Sequence, residues 1–95
     1  MIEIQVLIPN YSNQGDKFTA DRHKSFESHA ANLFGGLSLY PNNVVGIWID
    51  EETQYDDQNR CYGFAINNIT EGNKVAEIVE FAKTHYEQLG IIDIL

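Results

Sequence analysis

Three histidines are the side chains of this 95-residue sequence best suited to proton transfer near neutral pH. His23 and His29 lie six residues apart on one predicted helix, which places them well apart around its circumference. His85 is alone on a second predicted helix, close to its apolar stripe. Neither the six-residue spacing of His23 and His29 nor the isolated His85 matches the pattern of metal-chelating histidines, so we expect no metal site. We interpret His85 as a partly buried structural histidine and keep it as a candidate for a ligand pocket or an interface.

The acidic stretch at residues 50–57 supplies enough oxygen ligands for a hard cation. It lacks the alternating ligands, the mid-loop glycine and the terminal glutamate of an EF-hand loop. We therefore predict a solvated hairpin loop, with a cation site or a contact with a basic protein as the alternatives. Serine nucleophile elbows, phosphate-binding glycine loops and paired zinc cysteines are missing from the sequence, and Cys61 lies in an apolar stretch where a thiol packs as a small hydrophobe. We expect no cofactor.

Aromatic side chains on predicted strands are the remaining binding candidates. Trp48 lies in one strand, and Tyr62 and Phe64 lie in the next. Strand aromatics stack bases in some RNA-binding folds. Here, however, 14 acidic residues against 6 basic ones give a formal net charge of −8, which repels phosphate backbones. We therefore predict no direct nucleic-acid binding and assign these three residues to a core, an interface or a ligand pocket.

The elements that position these residues follow from hydrophobic periodicity and helix end signals. Residues 2–8 alternate in the period of a strand, which Pro9 ends. Thr19 is a predicted N-cap and Gly35 a predicted left-handed C-terminal residue, and together they bound a helix over residues 20–34. The remaining predicted elements are an antiparallel strand pair at residues 44–49 and 60–66, a helix at residues 74–89 and a final strand at residues 91–95.

The predicted order is therefore strand, helix, strand, strand, helix, strand. Two helices on one face of a four-stranded antiparallel sheet bury both helical stripes economically, which is the ferredoxin-like βαββαβ plan. We predict one α+β domain of this kind over residues 1–95. Phe26 and Leu33 on the first helix, and Ile78 and Ala82 on the second, are expected to lie between the helices and the sheet.

Four features carry a family resemblance: the segment LFGGL at residues 33–37, the segment GIW at residues 46–48, the acidic hairpin and the short C-terminal strand. With these features the sequence resembles a group of small bacterial domains of unknown function. It is similar, more loosely, to the dimeric α+β barrel proteins. The resemblance implies a ferredoxin-like fold and a dimer, and it supplies no catalytic residue.

The composition is that of a folded globular chain, with 43% hydrophobic and 21% charged residues. No run approaches the roughly 18 to 20 apolar residues needed to span a bilayer. The first residues lack the basic start and the apolar stretch of a signal peptide. We expect a cytoplasmic protein with no membrane partner.

The strand composition favours a binding or interaction module over an enzyme. Because two helices cover only one side of the sheet, we expect apolar strand residues on the open side, packed in a homodimer or against a small-molecule ligand. One alternative is a small enzyme of the dimeric α+β barrel kind, with an organic substrate in a sheet-helix cleft near Trp48, Tyr62 or His85. Another is an acidic inhibitor or ligand-sequestering protein of a defence or mobile-element system, whose carboxylates imitate phosphates.

Overall fold

The computed structural model describes residues 2–88 and 92–94, which form an antiparallel sheet and two α-helices. A short 3₁₀ turn, Ile69–Glu71, precedes the second helix. None of the helices in this part of the chain has the length and apolar character needed to cross a membrane. The elements are β1 (Ile2–Pro9), α1 (Ala20–Phe34), β2 (Ser38–Leu39), β3 (Val44–Asp50), β4 (Thr53–Ile66), α2 (Gly72–His85) and β5 (Ile92–Ile94).

The sheet has the ferredoxin-like arrangement that the sequence predicts. Its order is β2-β4-β1-β5, with every pair antiparallel, and β3 also pairs with β4. β2 and β3 follow one another along the same edge of β4, since Leu39 lies opposite Tyr62 and Val44 lies opposite Asn59. The sheet is therefore four strands wide, and the edge position beside β4 is divided between β2 and β3.

α1 begins and ends at the residues predicted for it. The Thr19 hydroxyl accepts a hydrogen bond from the backbone N–H of Arg22 at 3.2 Å, which satisfies one of the free donors at the helix start. Gly35 ends the helix in the left-handed region, with φ at 82°, and its N–H donates to the carbonyl of Ala31. Both ends are thus fixed by local interactions.

α2 is shorter than the predicted helix at residues 74–89. It begins two residues earlier, at Gly72, and ends at His85. Glu87 adopts a left-handed φ of 55°, and the N–H of Gln88 donates back to the carbonyl of Lys83. This left-handed residue turns the chain before Leu89, which lies outside the described residues, as do Gly90 and the outer residues of the predicted final strand.

The core lies between the sheet and the two helices, as predicted. Alternate residues of β1 and β4 form the sheet side of this core, and Phe26 and Ile78 belong to its helix side. Leu33, which the sequence predicts for this layer, is only half-buried, because it stands near the end of α1 where the layer thins. The fully buried side chains of the sheet are Ile4, Val6, Ile8, Tyr62, Phe64 and Ile66.

The acidic stretch is not the solvated loop that the sequence predicts. β3 and β4 remain paired from Val44 opposite Asn59 to Asp50 opposite Thr53, so Asp56 and Asp57 lie within a strand. The turn consists only of Glu51 and Glu52, with φ values of 47° and 73°. Two consecutive residues with left-handed φ values are typical of a tight hairpin turn, because the twist of such a turn matches that of the strands it joins. β4 consequently begins at Thr53, seven residues before the predicted strand.

Candidate functional site

The hairpin of β3 and the first part of β4 extends beyond the body of the domain. β1 pairs with β4 only from Asn59 onward, so residues 53–58 pair with β3 alone among the described residues. Three aliphatic side chains project from this hairpin into solvent. Val45, Ile47 and Ile49 are 58%, 62% and 74% exposed, and we call them the hairpin stripe.

The hairpin stripe lies on the face of the sheet that the helices cover elsewhere. Ile47 pairs with Asp56, and Val45 pairs with Gln58. Even-numbered residues of β4, such as Tyr62, point toward the helices, and strand side chains alternate, so the partners of the stripe share that face. The helix layer ends before it reaches the hairpin, which leaves the stripe without a covering element in the described part of the chain.

A pocket of about 380 Å³ lies where the hairpin joins the body, and we call it the junction pocket. The loop after β1, the middle of β4 and the segment between β2 and β3 form its walls. The polar groups that line it are Asn10, Lys17, Tyr40, Asn43, Gln58 and Arg60.

Hydrogen bonds hold the walls of the junction pocket together. The buried Asn10 donates from Nδ2 to Oδ1 of Asn43 at 3.2 Å, and its backbone N–H donates to the carbonyl of Gln58 at 3.0 Å. The buried Asn59 donates to the carbonyl of Val44 at 3.2 Å and so ties the start of β3 to β4. The pocket is therefore part of the fold and not a gap between independent loops.

Arg60 is positioned by contacts with the core. One guanidinium nitrogen lies 3.9 Å from Oε2 of Glu27, and the guanidinium carbon lies 5.9 Å from the ring centre of Tyr62. The Tyr62 hydroxyl donates to the same Glu27 oxygen at 2.6 Å. Burial and this hydrogen bond raise the pKa of Tyr62, which keeps it a donor. Arg60 thus lies between a buried ring and a half-buried carboxylate, and it also lines the pocket.

The histidines serve packing between the two helices. His23 is 4% exposed, and its Nδ1 shares a hydrogen bond of 2.8 Å with the Tyr86 hydroxyl. Burial, with a contribution from Arg60, lowers the pKa of His23 to about 4, so its ring is neutral at pH 7. His85 donates from Nε2 to the carbonyl of Arg22 at 2.8 Å, which agrees with the structural role predicted for it.

The four residues named from the sequence do not form one site. Tyr62 and Phe64 are 0% and 1% exposed and face the helices, so neither is available as an interface or ligand group on the open side of the sheet. His85 lies between α1 and α2. Trp48 lies in β3 opposite Tyr55, and its side chain is outside the described residues.

The open side of the sheet also differs from the expectation that large apolar groups lie there. Opposite the helices, β4 carries Cys61, Gly63 and Ala65, and Glu3 pairs with Ala65. Cys61 is buried, as predicted for a packing thiol, and burial raises its pKa. Tyr40 extends over this face and donates a hydrogen bond to Glu3. Leu7, which pairs with Cys61 on this face, is only 7% exposed, so the exposed groups here are small or polar where a large apolar interface was expected.

The residues of the junction pocket and the hairpin stripe are not among the candidates that the sequence indicates. Lys17 and Arg60 come from distant parts of the chain, and only the pairing of β1 with β4 brings them to one pocket. The alternation of Val45, Ile47 and Ile49 is visible in the sequence, but nothing in it shows that the helix layer ends short of them. In the described part of the chain, no group of three His, Cys, Asp or Glu side chains is placed to hold a metal ion.

Neither the protein-family models nor the curated proteins include a match to this sequence. Solved structures do match. The divalent cation tolerance protein CutA1 from Thermus thermophilus superposes with a TM-score of 0.62 at 9% identity, over 99% of this chain and 84% of that one. The CutA1 divalent ion tolerance protein from Ehrlichia chaffeensis gives a TM-score of 0.59 at 11% identity, over 97% of this chain and 77% of that one. The chain has the fold of CutA1.

This likeness to CutA1 confirms the α+β ferredoxin-like class and shows nothing beyond the fold, because both identities are so low. The expected membership of a domain family of unknown function has no support from a family model. The Thermus thermophilus protein is named for divalent cation tolerance and the Ehrlichia chaffeensis protein for divalent ion tolerance.

Proposed function

We propose that this protein is a binding module that assembles with further copies of itself through the hairpin stripe. The observation that supports this most directly is the exposure of Val45, Ile47 and Ile49, at 58–74%, on a hairpin that projects from the body. Contiguous exposed aliphatic groups of this kind mark association surfaces in small proteins. A second copy is the proposed occupant because it requires no other gene product.

The free energies involved indicate that burial of the hairpin stripe is not enough for assembly, so that hydrogen bonds along the strand edge are also needed. Covering three partly exposed aliphatic side chains contributes roughly 1–2 kcal/mol each. That sum is of the order of the translational and rotational cost of association, about 4 kcal/mol or more. The outer edge of β3 pairs with no other described strand, and its free backbone groups can hydrogen-bond to another copy. We therefore propose that stripe and edge act together in the contact.

The two alternative functions fit the geometry less well. Among the described residues, the titratable groups with large pKa shifts are His23, Tyr62 and Tyr86. They lie in the core, where His23 and Tyr86 share a hydrogen bond and Tyr62 donates to Glu27. This is packing chemistry, which disfavours an enzyme. Asp56 and Asp57 are neighbours on one strand and therefore point to opposite faces, which disfavours a single row of carboxylates imitating phosphates.

Light scattering on matched lysine variants tests the assembly. Ile47→Lys places its charge opposite Asp56, and Ala65→Lys places the same charge opposite Glu3, so each new lysine has a carboxylate partner on the neighbouring strand. We expect the native chain to show at least twice the monomer mass of 10.8 kDa. Ile47→Lys should lower that mass to the monomer value, and Ala65→Lys, on the open sheet face, should leave it unchanged.

Two results would contradict the proposal. One is a native chain that keeps the 10.8 kDa mass into the high-micromolar range. The other is an assembly that Ile47→Lys leaves intact and Ala65→Lys dissociates, which would return the contact to the open sheet face. Added salt should strengthen the assembly, because each copy carries a net charge of −8 and salt screens the repulsion.

A further inference from the structure

The junction pocket has a charge opposite to that of the protein. Acidic residues outnumber basic ones by 14 to 6 in the sequence, yet the described residues that line the pocket include Lys17 and Arg60 and no carboxylate. Two of the six basic residues are thus collected at one concave site. Two cationic residues in a lining without a carboxylate favour a negatively charged ligand.

Arg60 is prepared for such a ligand by its surroundings. Glu27 contacts a single guanidinium nitrogen at the long distance of 3.9 Å, and the Arg60 side chain is 28% exposed. The guanidinium group has five N–H donors in a fixed planar fork that matches phosphate and carboxylate oxygens. Contact with Tyr62 and Glu27 limits its freedom beforehand, so less conformational entropy is lost on binding. Donors remain for a ligand.

Lys17 supplies a second positive charge to the lining of the pocket. It is exposed and lies in the loop after β1, where it forms a β-bridge with Tyr11. It forms no ion pair with any described residue. Gln58 also lines the pocket and lies two residues before Arg60 in β4, on the same face of the strand. The amide of Gln58 and the ammonium group of Lys17 therefore add N–H donors to those of the Arg60 guanidinium group.

The remaining lining is apolar or aromatic. Tyr11, Leu39, Tyr40 and Pro41 contribute to the walls. The volume of about 380 Å³ falls within the range of small-molecule sites, roughly 300–1,000 Å³. A bare inorganic anion would leave these apolar walls uncovered, whereas a ligand with a ring or a short hydrocarbon body would cover them.

We propose that the junction pocket binds a small organic anion, with a phosphate or carboxylate group held by Arg60 and Lys17 and a planar or hydrocarbon body against the apolar walls. The pocket adjoins the hairpin stripe, since Gln58 pairs with Val45, but Val45, Ile47 and Ile49 do not line it. It also differs from the ligand positions expected at Tyr62, Phe64 and His85, which do not line the pocket.

Four probes separate the contributions of charge and body. Phenyl phosphate and benzoate carry an anionic group on a ring, benzyl alcohol carries the ring without charge, and inorganic phosphate carries the charge without a ring. Each is titrated into the full-length ¹⁵N-labelled protein and followed by the backbone amide shifts of residues 58 and 60. We expect saturable shifts there with one or both ring anions and at least about tenfold weaker binding of benzyl alcohol. Binding of phenyl phosphate alone would assign the head group as a phosphate, and binding of benzoate alone would assign it as a carboxylate.

Matched charge removals complete the test. Lys17→Gln removes an exposed pocket charge and should weaken the bound anion about tenfold. Lys83→Gln removes a lysine charge from α2, where its partner is Glu80, and should leave the affinity unchanged. Arg60→Gln should abolish the shifts, with circular dichroism as the check that it folds. Equal binding of benzyl alcohol, shifts confined to other parts of the protein, or equal losses from the two lysine variants would each overturn the proposal.

Discussion

The Tyr62 hydroxyl donates a hydrogen bond of 2.6 Å to Oε2 of Glu27, and the same oxygen lies 3.9 Å from Arg60. A core aromatic ring, a carboxylate of α1 and a cation of the junction pocket are therefore connected. Removing the hydroxyl should therefore lower the free energy of unfolding and change the position of Arg60.

Tyr62→Phe tests this connection. It should lower the free energy of unfolding by roughly 1–2 kcal/mol, because a partly buried charged acceptor loses its donor while the ring is retained. Denaturant unfolding gives the value. Tyr40→Phe is the control: Tyr40 donates to Glu3 on an exposed surface, where we expect a change within about 0.5 kcal/mol. Similar losses of unfolding free energy in the two variants would show that partial burial does not strengthen the hydrogen bond between Tyr62 and Glu27.

The buried His23 predicts a pH dependence of stability. Its pKa is about 4 in the folded protein and 6.5 ordinarily, so between these values the unfolded chain binds a proton that the folded chain does not. Stability should therefore fall as pH falls from 6.5 to about 4, by roughly 1.4 kcal/mol per pH unit from this group. His23→Gln should remove that slope. His29→Gln, at an exposed ring, should keep it, and identical slopes in all three proteins would contradict the assignment.

The hairpin turn predicts a stabilising substitution. Glu52 has a φ of 73°, in the left-handed region that costs a residue with a Cβ roughly 1 kcal/mol. Glu52→Gly should raise the free energy of unfolding by about that amount, measured with denaturant. Glu52→Ala removes the same carboxylate but keeps the Cβ. If the alanine variant gains as much as the glycine variant, the effect comes from charge and not from backbone conformation.

The two helical stripes should respond unequally to truncation. Ile78 is fully buried, so Ile78→Ala should cost roughly 2–5 kcal/mol from lost burial and the cavity left behind. Leu33 is half-buried, so Leu33→Ala should cost less, about 1–2 kcal/mol. Comparison of the two denaturation midpoints decides this. Equal losses would indicate that Leu33 is packed as tightly as the core.

The parts of the fold that the sequence predicts correctly are those with local causes. Thr19 and Gly35 define α1 through contacts within a few residues, and both ends are confirmed. The end of α2 is missed because a left-handed Glu87 has no distinctive sequence signal. The length of β4 is missed because its first part, which includes Asp56, is polar and is held by pairing with β3.

The candidate site could not be predicted from the sequence for a different reason. Either face of β4 carries residues that a core accepts, and the larger set, Tyr62, Phe64 and Ile66, proves to face the helices. Alternation shows which residues share a face but not which face the helices cover. The junction pocket depends on register between distant segments, and the exposure of the hairpin stripe depends on where the helix layer ends.

The same hairpin has a consequence for handling the protein. Residues 44–49, VVGIWI, form an uncharged, β-branched run without proline, on a strand whose outer edge is unpaired among the described residues. Such segments seed cross-β aggregates when nothing covers them. The net charge of −8 on each copy keeps copies apart near neutral pH. As the solution approaches the isoelectric point of about 4.5, that protection disappears, and concentrated samples should precipitate as β-rich aggregates.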